Sequence, residues 1–310
     1  MLAAVIGIGS NSVRALLAEA AGSSLERHWR DREGTRLFAG LDDTGNLSAE
    51  SIRKTAAAVG RMAEEARRRG AEQVDVFATS AARDAANSAA FIAEIARAAG
   101  TEPEILSGES EARLSFMGAS MAAPYPGRCG VIDIGGGSTE IVTGEGDCID
   151  CAFSCQMGAV RLYQAIQLES KSDMVIAEKA ATEILQEKIA EIGSFRMPAC
   201  WIGTGGTFTT LAAMVKKVPW TDRTCMHGTR VSIQEIRSIG EELAEMDLAE
   251  RKKLPGLQPG RADIVVHGIC ILLAVMSYLG IDAITVSEWG NLDGYLRRKL
   301  TGKESETGNA

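Results

Sequence analysis

Residues 5–12 read Val-Ile-Gly-Ile-Gly-Ser-Asn-Ser and residues 131–138 read Val-Ile-Asp-Ile-Gly-Gly-Gly-Ser, the same pattern repeated 126 positions later. Each copy is an apolar strand, a Gly/Ser turn and a second strand, at 13–19 and 140–143. A repeated β-hairpin sets the architecture before any other feature does. It predicts two similar domains facing each other across a cleft, spanning 1–124 and 125–300. The break falls at 122–127, where Pro124 and Pro126 interrupt helix. The tail 301–310 reads as disordered.

Working outward, short β-branched runs alternate with longer Ala/Glu/Arg-rich helical patterns. Strands are expected at 2–8, 74–78, 130–134, 140–143, 200–203 and 283–286. Helices are expected at 49–69, 88–99, 109–119, 173–192, 233–246 and 264–279. That alternation indicates an α/β protein on mixed sheets.

The 310 residues carry 33 Lys+Arg against 41 Asp+Glu, a net charge of −8. Such a balance argues against broad nucleic-acid binding, which rests on many cationic phosphate contacts. A phosphate ligand remains compatible, because backbone N–H groups and a bound metal neutralise phosphate locally. The apolar N-terminus lacks a basic region and is broken by Gly7, Gly9, Ser10 and Asn11, so it reads as strand and turn. The apolar stretch 264–281 contains His267 and glycines and reads as a buried helix, with no membrane association expected. Seven cysteines, an odd number, and no export signal point to the cytoplasm.

A strand ending in Asp133 followed by Gly135-Gly136-Gly137-Ser138 suits phosphate chemistry. Without Cβ atoms the backbone N–H groups approach phosphate oxygens, and a carboxylate at the strand end can hold a hydrated cation. Alone, three glycines are a mobile turn. The matching loop 9–12 and a third turn, Gly203-Thr204-Gly205-Gly206-Thr207, favour the functional reading.

Seven segments occur in the order found in the exopolyphosphatase and guanosine-pentaphosphate phosphohydrolase (Ppx/GppA) family. They are IGSNSVRALLAE (8–19), ATSAARDAAN (78–87), ILSGESEARLSFMGA (105–119), VIDIGGGSTEI (131–141), MGAVRL (157–162), GTGGTFTTLAA (203–213) and LPGLQPGRADIVVHG (254–268). The chain resembles a short member of that family over nearly its whole length. The resemblance implies two actin-like (ASKHA, ribonuclease H-like) α/β domains with a cleft between them. It also implies release of terminal phosphate from inorganic polyphosphate or guanosine pentaphosphate, with Mg²⁺ or Mn²⁺.

By the same resemblance Glu111 is the general base, and Asp133 and Glu140 hold the metal directly or through water. Arg83 forks onto phosphate, and Ser10, Asn11, Ser12, Gly135, Gly136, Gly137, Ser138, Gly205, Gly206 and Thr207 supply donors. Arg261 and Lys216/Lys217 are weaker candidates. Read without the resemblance, Glu111 is a helix-surface acid beside a Glu109/Arg113 pair, Arg83 pairs with Asp84, and Asp133 and Glu140 are solvated charges.

The chain departs from the family in several places. Gly7 stands where the family, and the second repeat, have Asp. Ser110 replaces a common glutamate. Ser287-Glu288-Trp289-Gly290-Asn291-Leu292-Asp293-Gly294 stands for Ser-Asp-Arg-Gly-Leu-Arg-Glu-Gly, which loses two arginines. The two-domain length lacks the extension of longer members, so short polymers are expected. Three readings follow: a metal-assisted phosphohydrolase, a binding or sensing protein weakened at Gly7, and a phosphoryl-transfer kinase.

Cys148, Cys151 and Cys155 are expected to be small core residues of a strand, Cys148 on the face opposite the other two, without a fourth zinc ligand nearby. His28, His227 and His267 are too far apart in sequence to suggest a catalytic set. Apolar helix faces in the second domain make a homodimer a further expectation.

Overall fold

The computed structural model describes residues 1–302 except 23, 43, 122–126 and 224. The expected break and the 124/125 boundary therefore lie outside the described residues, as do 303–310. Thr301, placed in the tail by the sequence, instead closes the last helix, with Gly302 left-handed behind it at φ 64.

The first half contains β1 (Leu2–Ile8), β2 (Val13–Ala21), β3 (Ser24–Glu33), α1 (Ala49–Arg68), β4 (Gln73–Ala78), α2 (Ser80–Arg83), α3 (Ser88–Ala99), β5 (Glu104–Ile105) and α4 (Gly108–Met121). The second begins with β6 (Arg128–Ile134), β7 (Thr139–Glu145), β8 (Cys148–Cys155), α5 (Ala159–Ala165), α6 (Met174–Ile192), β9 (Cys200–Thr204) and α7 (Gly206–Lys216). It continues with β10 (Arg230–Ser232), α8 (Ile233–Glu245), α9 (Leu248–Arg251), α10 (Val265–Leu279), β11 (Ala283–Val286) and α11 (Asn291–Thr301).

The two sheets have one plan. The first runs β3-β2-β1-β4-β5, and the second, read from its hairpin edge, β8-β7-β6-β9-β11-β10. In both, the first strand pairs antiparallel with the second and parallel with the fourth. The repeat is exact in register: Ile8 faces Val13, and Ile134 faces Thr139. The turns close alike, Gly9 N–H donating to Ser12 C=O at 3.1 Å and Gly135 N–H to Ser138 C=O at 3.0 Å.

Central strands are covered on both faces, so β1 is an unbroken buried run rather than an alternating one. One face of the first sheet packs Ile6 and Ile8 against the α1 stripe Ile52, Ala56, Val59 and Ala63, and against Phe91 and Ile95 of α3. Ser48 caps α1 by accepting the Ser51 N–H. In the second half α10 is buried over most of its length, which explains its near-uniform apolar character. Among the described residues no helix is long and apolar enough to cross a membrane.

Two helices cross between the halves. On α4, Leu114 and Met117 pack with Val5 and Leu16, while Ala112 and Phe116 pack with Val131 and Val142. From the other end of the chain, Tyr295 and Leu296 of α11 return to Ala3, Val5 and Phe77 of the first sheet. A Cβ on Gly118 would strike the Gly290 carbonyl, and one on Gly294 the Leu114 carbonyl, so α4 and α11 cross backbone against backbone. Removing Phe116, fully buried at this junction, would cost about 3–5 kcal/mol and loosen the helix that carries Glu111.

Candidate active site

The carboxyl ends of the central strands meet in one cleft. Its walls include Ser10, Asn11 and Ser12 from the first hairpin, Gly135–Ser138 from the second, and Gly205 and Gly206 after β9. Glu111 and Asp133 stand at its base, together with Thr79, Arg14, Arg261 and Asn291. The Gly-rich turn is needed for closure as well as for binding: a Cβ on Gly137 would collide with Ser80 Oγ and come within 2.9 Å of Ser10 Oγ. Thus the second hairpin sits against the first half with no room for a side chain.

Glu111 lies in the first turn of α4, its N–H bonded to Ser107 C=O at 2.9 Å. Ser107 Oγ caps the turn through the Ser110 N–H at 3.1 Å. The carboxylate is buried, not on the helix surface; Glu109 alone takes Arg113, at 2.8 Å. Glu111 Oε2 has no hydrogen-bond partner among the described residues and lies 3.6 Å from Arg83 Nη1. Burial, then the charge of Asp133, pushes its pKa up to about 7, against the pull of Arg83, Arg14 and the Thr79 hydroxyl.

Asp133 Oδ2 accepts Ser115 Oγ at 2.7 Å, which ties the end of β6 to α4. Glu140, directly opposite Asp133 on β7, is 1% exposed and accepts Ser154 Oγ at 2.7 Å, while its Oε2 has no partner among the described residues. Its pKa is raised by burial first, then by Glu111 and Asp133. Three buried carboxylates therefore press on one another.

A cation fits that situation, since two oxygens lack donors and the acids repel. Among the described residues, however, the oxygens of these three acids do not draw together tightly enough to surround one ion directly. A metal here would be held in part through water.

Arg83 faces Glu111 and donates to Leu106 C=O at 2.7 Å. It is 3.9 Å from Asp84, whose closer partner is Arg161 at 2.5 Å. Arg161, within the MGAVRL segment, also donates to Gly137 C=O at 2.8 Å and stacks on Phe38, so it braces the glycine turn. Thr207 is buried behind the cleft against Gly268, and Lys217 lines a separate apolar recess with Met214 and Leu254. Arg261 belongs to the cleft: a Cβ on Gly206 would land on its guanidinium.

Sequence reading missed Arg14, Thr79, Arg161 and Asn291. All four lie inside segments quoted above, where spacing gave no sign of direction. Gly7 is explained by its neighbours. A Cβ there would stand 2.8 Å from Phe77 Cζ and 3.3 Å from Leu292 Cδ2. The missing aspartate and one missing arginine thus occur together, replaced by apolar packing. Of the three cysteines expected in the core only Cys155 is buried; Cys151 is half-buried and Cys148 is exposed, because it opens β8, an edge strand, on the opposite face.

Duplicated sheets of this order, closing on a cleft of glycine turns and carboxylates, define the class: an α/β protein of two actin-like domains. The chain belongs to the Ppx/GppA phosphatase family, whose pattern matches residues 16–302. With that membership the reading as a phosphoanhydride hydrolase stands. It is 34% identical to Exopolyphosphatase 2 of Mycobacterium tuberculosis, covering 94% of this chain and 96% of that protein. The Ppx-GppA enzyme of Aquifex aeolicus superposes with a TM-score of 0.80 at 28% identity, covering 96% and 99% of the two chains. An exopolyphosphatase from Cytophaga hutchinsonii, 24% identical, shares the fold with a TM-score of 0.88 over 99% and 100%.

Proposed function

We propose that the protein is an exopolyphosphatase that removes the terminal phosphate of inorganic polyphosphate by water attack. The observation that carries this reading is Glu111, a buried carboxylate with one oxygen unpartnered among the described residues, in a cleft that glycine turns and two arginines, Arg14 and Arg261, also line. Arg14 has only Asn291 Oδ1, at 3.0 Å, and Arg261 Nε has no partner among the described residues.

In this mechanism the terminal phosphate lies between the turns at 9–12 and 135–138. The free N–H groups at the start of α7 point at it, and the helix dipole favours its charge. Glu111 accepts a proton from water as the oxygen bonds to phosphorus and the bridging P–O bond breaks. The shortened chain leaves with the electron pair, and Arg14 and Arg261 balance its charge. Asp133 and Glu140 are the residues that would hold a divalent ion, Mg²⁺ or Mn²⁺, directly or through water, and the ion would supply further charge neutralisation.

Intact Glu111, Asp133 and Glu140 favour an enzyme over a weakened sensor, because the Gly7 change is absorbed by Phe77 and Leu292. Guanosine pentaphosphate is the second substrate to assay. Among the described residues the groove beside the cleft is lined by no aromatic side chain on which a base could stack, and nearby Trp289 is already covered by Arg27 at 4.1 Å. All seven cysteines are free thiols, which suits the cytoplasm. Exposed Val175 and Ile176 on α6 are the surface on which a homodimer would form, to be tested by light scattering. The test of the function is metal-dependent phosphate release by wild type and its loss in Glu111→Gln.

A further inference from the structure

The catalytic cleft does not end at Arg14 and Arg261. Both residues, with Gly206 and Asn291, also line an adjoining groove, so cleft and groove are one continuous space. The far wall of the groove comes from β3. There the pairing with β2 slips between Leu17/Ala18, which brings Arg27 onto the face that Arg30 and Arg32 occupy. Arg223 closes the other side.

Two of these arginines are neutralised. Arg27 pairs with Asp293, and Arg30 with Glu288 at 3.4 Å. Arg223 has only a longer share of Glu288, at 3.5 Å. Arg32 has none among the described residues: its partners are the neutral oxygens of Ser12 at 3.3 Å and Gln258 at 2.6 Å. It also stands directly opposite Arg14 in the β2–β3 register, an arrangement of like charges that disfavours the sheet. Burial, then Arg261, Arg14 and Arg223, lowers the pKa of Arg32, and Arg261 is held down to about 10 by burial, Arg14 and Arg223. Four guanidinium groups are thus kept close together with little carboxylate to balance them. A surface with no anionic ligand gains nothing from this cost, whereas a polyanion removes it.

We propose that Arg32 and Arg223 form a second phosphate subsite, which holds the inner phosphates of the polymer while its terminal phosphate occupies the cleft. The subsite rests on the polyphosphate reading above and adds a residue-level grip on the chain within the two domains. It replaces, from β3 and from the loop before β10, cationic groups that the sequence lacks at Trp289 and Leu292. Chain-length preference then resides in this groove, and affinity for long polymers falls with salt more steeply than affinity for short ones.

The experiment measures kcat and KM for tripolyphosphate and for a polymer of some hundred phosphates, in wild type, Arg32→Ala, Arg223→Ala and the conservative Arg32→Lys. Calorimetric binding of the long polymer to the Glu111→Gln form, with and without the arginine changes, gives a readout independent of turnover. Expected is a rise in long-chain KM roughly tenfold greater than the rise for tripolyphosphate, partly reversed in Arg32→Lys, with matching weakening in calorimetry. Arg97→Ala, an exposed arginine paired with Glu94, is the control and leaves both substrates unchanged. Equal effects on short and long chains, or none, in folded variants would overturn the subsite while leaving the hydrolase standing. No phosphate release by wild type from any polyphosphate would overturn the hydrolase instead, and calorimetry would still judge the groove.

Discussion

Arg83 Nη1 lies 3.6 Å from Glu111 Oε2, inside a hydrogen-bond frame that anchors the guanidinium to Leu106 C=O. The arginine is therefore an electrostatic neighbour of the base and is held at its distance by the backbone. Its charge opposes the burial and the Asp133 repulsion that raise Glu111 to about 7.

Removing that charge must raise the Glu111 pKa further. Arg83→Ala is expected to move the acid limb of the kcat/KM–pH profile to higher pH, since the base must be ionised to accept a proton. Arg83→Lys restores part of the shift. A limb that stays in place in Arg83→Ala would show that Glu111 does not set the profile.

The same shift has a stability consequence of known sign. A folded-state pKa near 7, above the ordinary 4.5, means that the folded chain holds its proton while the unfolded chain has lost it. Stability therefore falls as pH rises from about 4.5 to about 7 and is level above that. With divalent ions chelated, Glu111→Gln should be more stable than wild type at pH 8 by roughly 1–3 kcal/mol, and nearly equal to it at pH 4. Denaturant melts at the two pH values check this; equal stability at pH 8 would contradict it.

Restoring the family aspartate at position 7 will not restore function here. Gly7→Asp sets a Cβ 2.8 Å from the Phe77 ring, which is 1% exposed and stacked on Tyr295 at 5.2 Å. Overpacking of this kind costs about 1–3 kcal/mol, and a carboxylate beside Leu292 adds to it. The expected outcome is a lower melting temperature with no gain in turnover. A gain in kcat at unchanged stability would mean that the cleft can accept the acid.

Much of this was legible in the sequence because the hairpin repeat is both the fold and the site. Seven strands and six helices were expected close to their observed bounds, since buried central strands and amphipathic helices are strongly periodic. β3 escaped because SLERHWRDRE is an edge strand with few apolar residues, and its side chains line a groove that sequence cannot display. α7 was hidden by the glycines at its start and α11 by its polar composition. The arginine groove was beyond reach for the same reason: Arg14, Arg32, Arg223 and Arg261 are brought together only by sheet register and the loops after the strands.

Gly206 tests whether Arg261 belongs to the machinery. A methyl group there displaces the guanidinium, so Gly206→Ala should cost tenfold or more in kcat/KM. In an Arg261→Ala background the same change should cost much less, because both act through one group. Additive losses would assign the effect of Gly206 to the backbone of the α7 turn instead.

The central claim is that Glu111 is the base of a polyphosphate hydrolase. Its most direct measurement is phosphate release from polyphosphate with Mg²⁺ or Mn²⁺, comparing wild type with a folded Glu111→Gln. The account predicts metal-dependent release by wild type and a loss of roughly 10²–10⁴-fold in the variant, with polymer binding retained. Release by the variant at a rate close to wild type would contradict it.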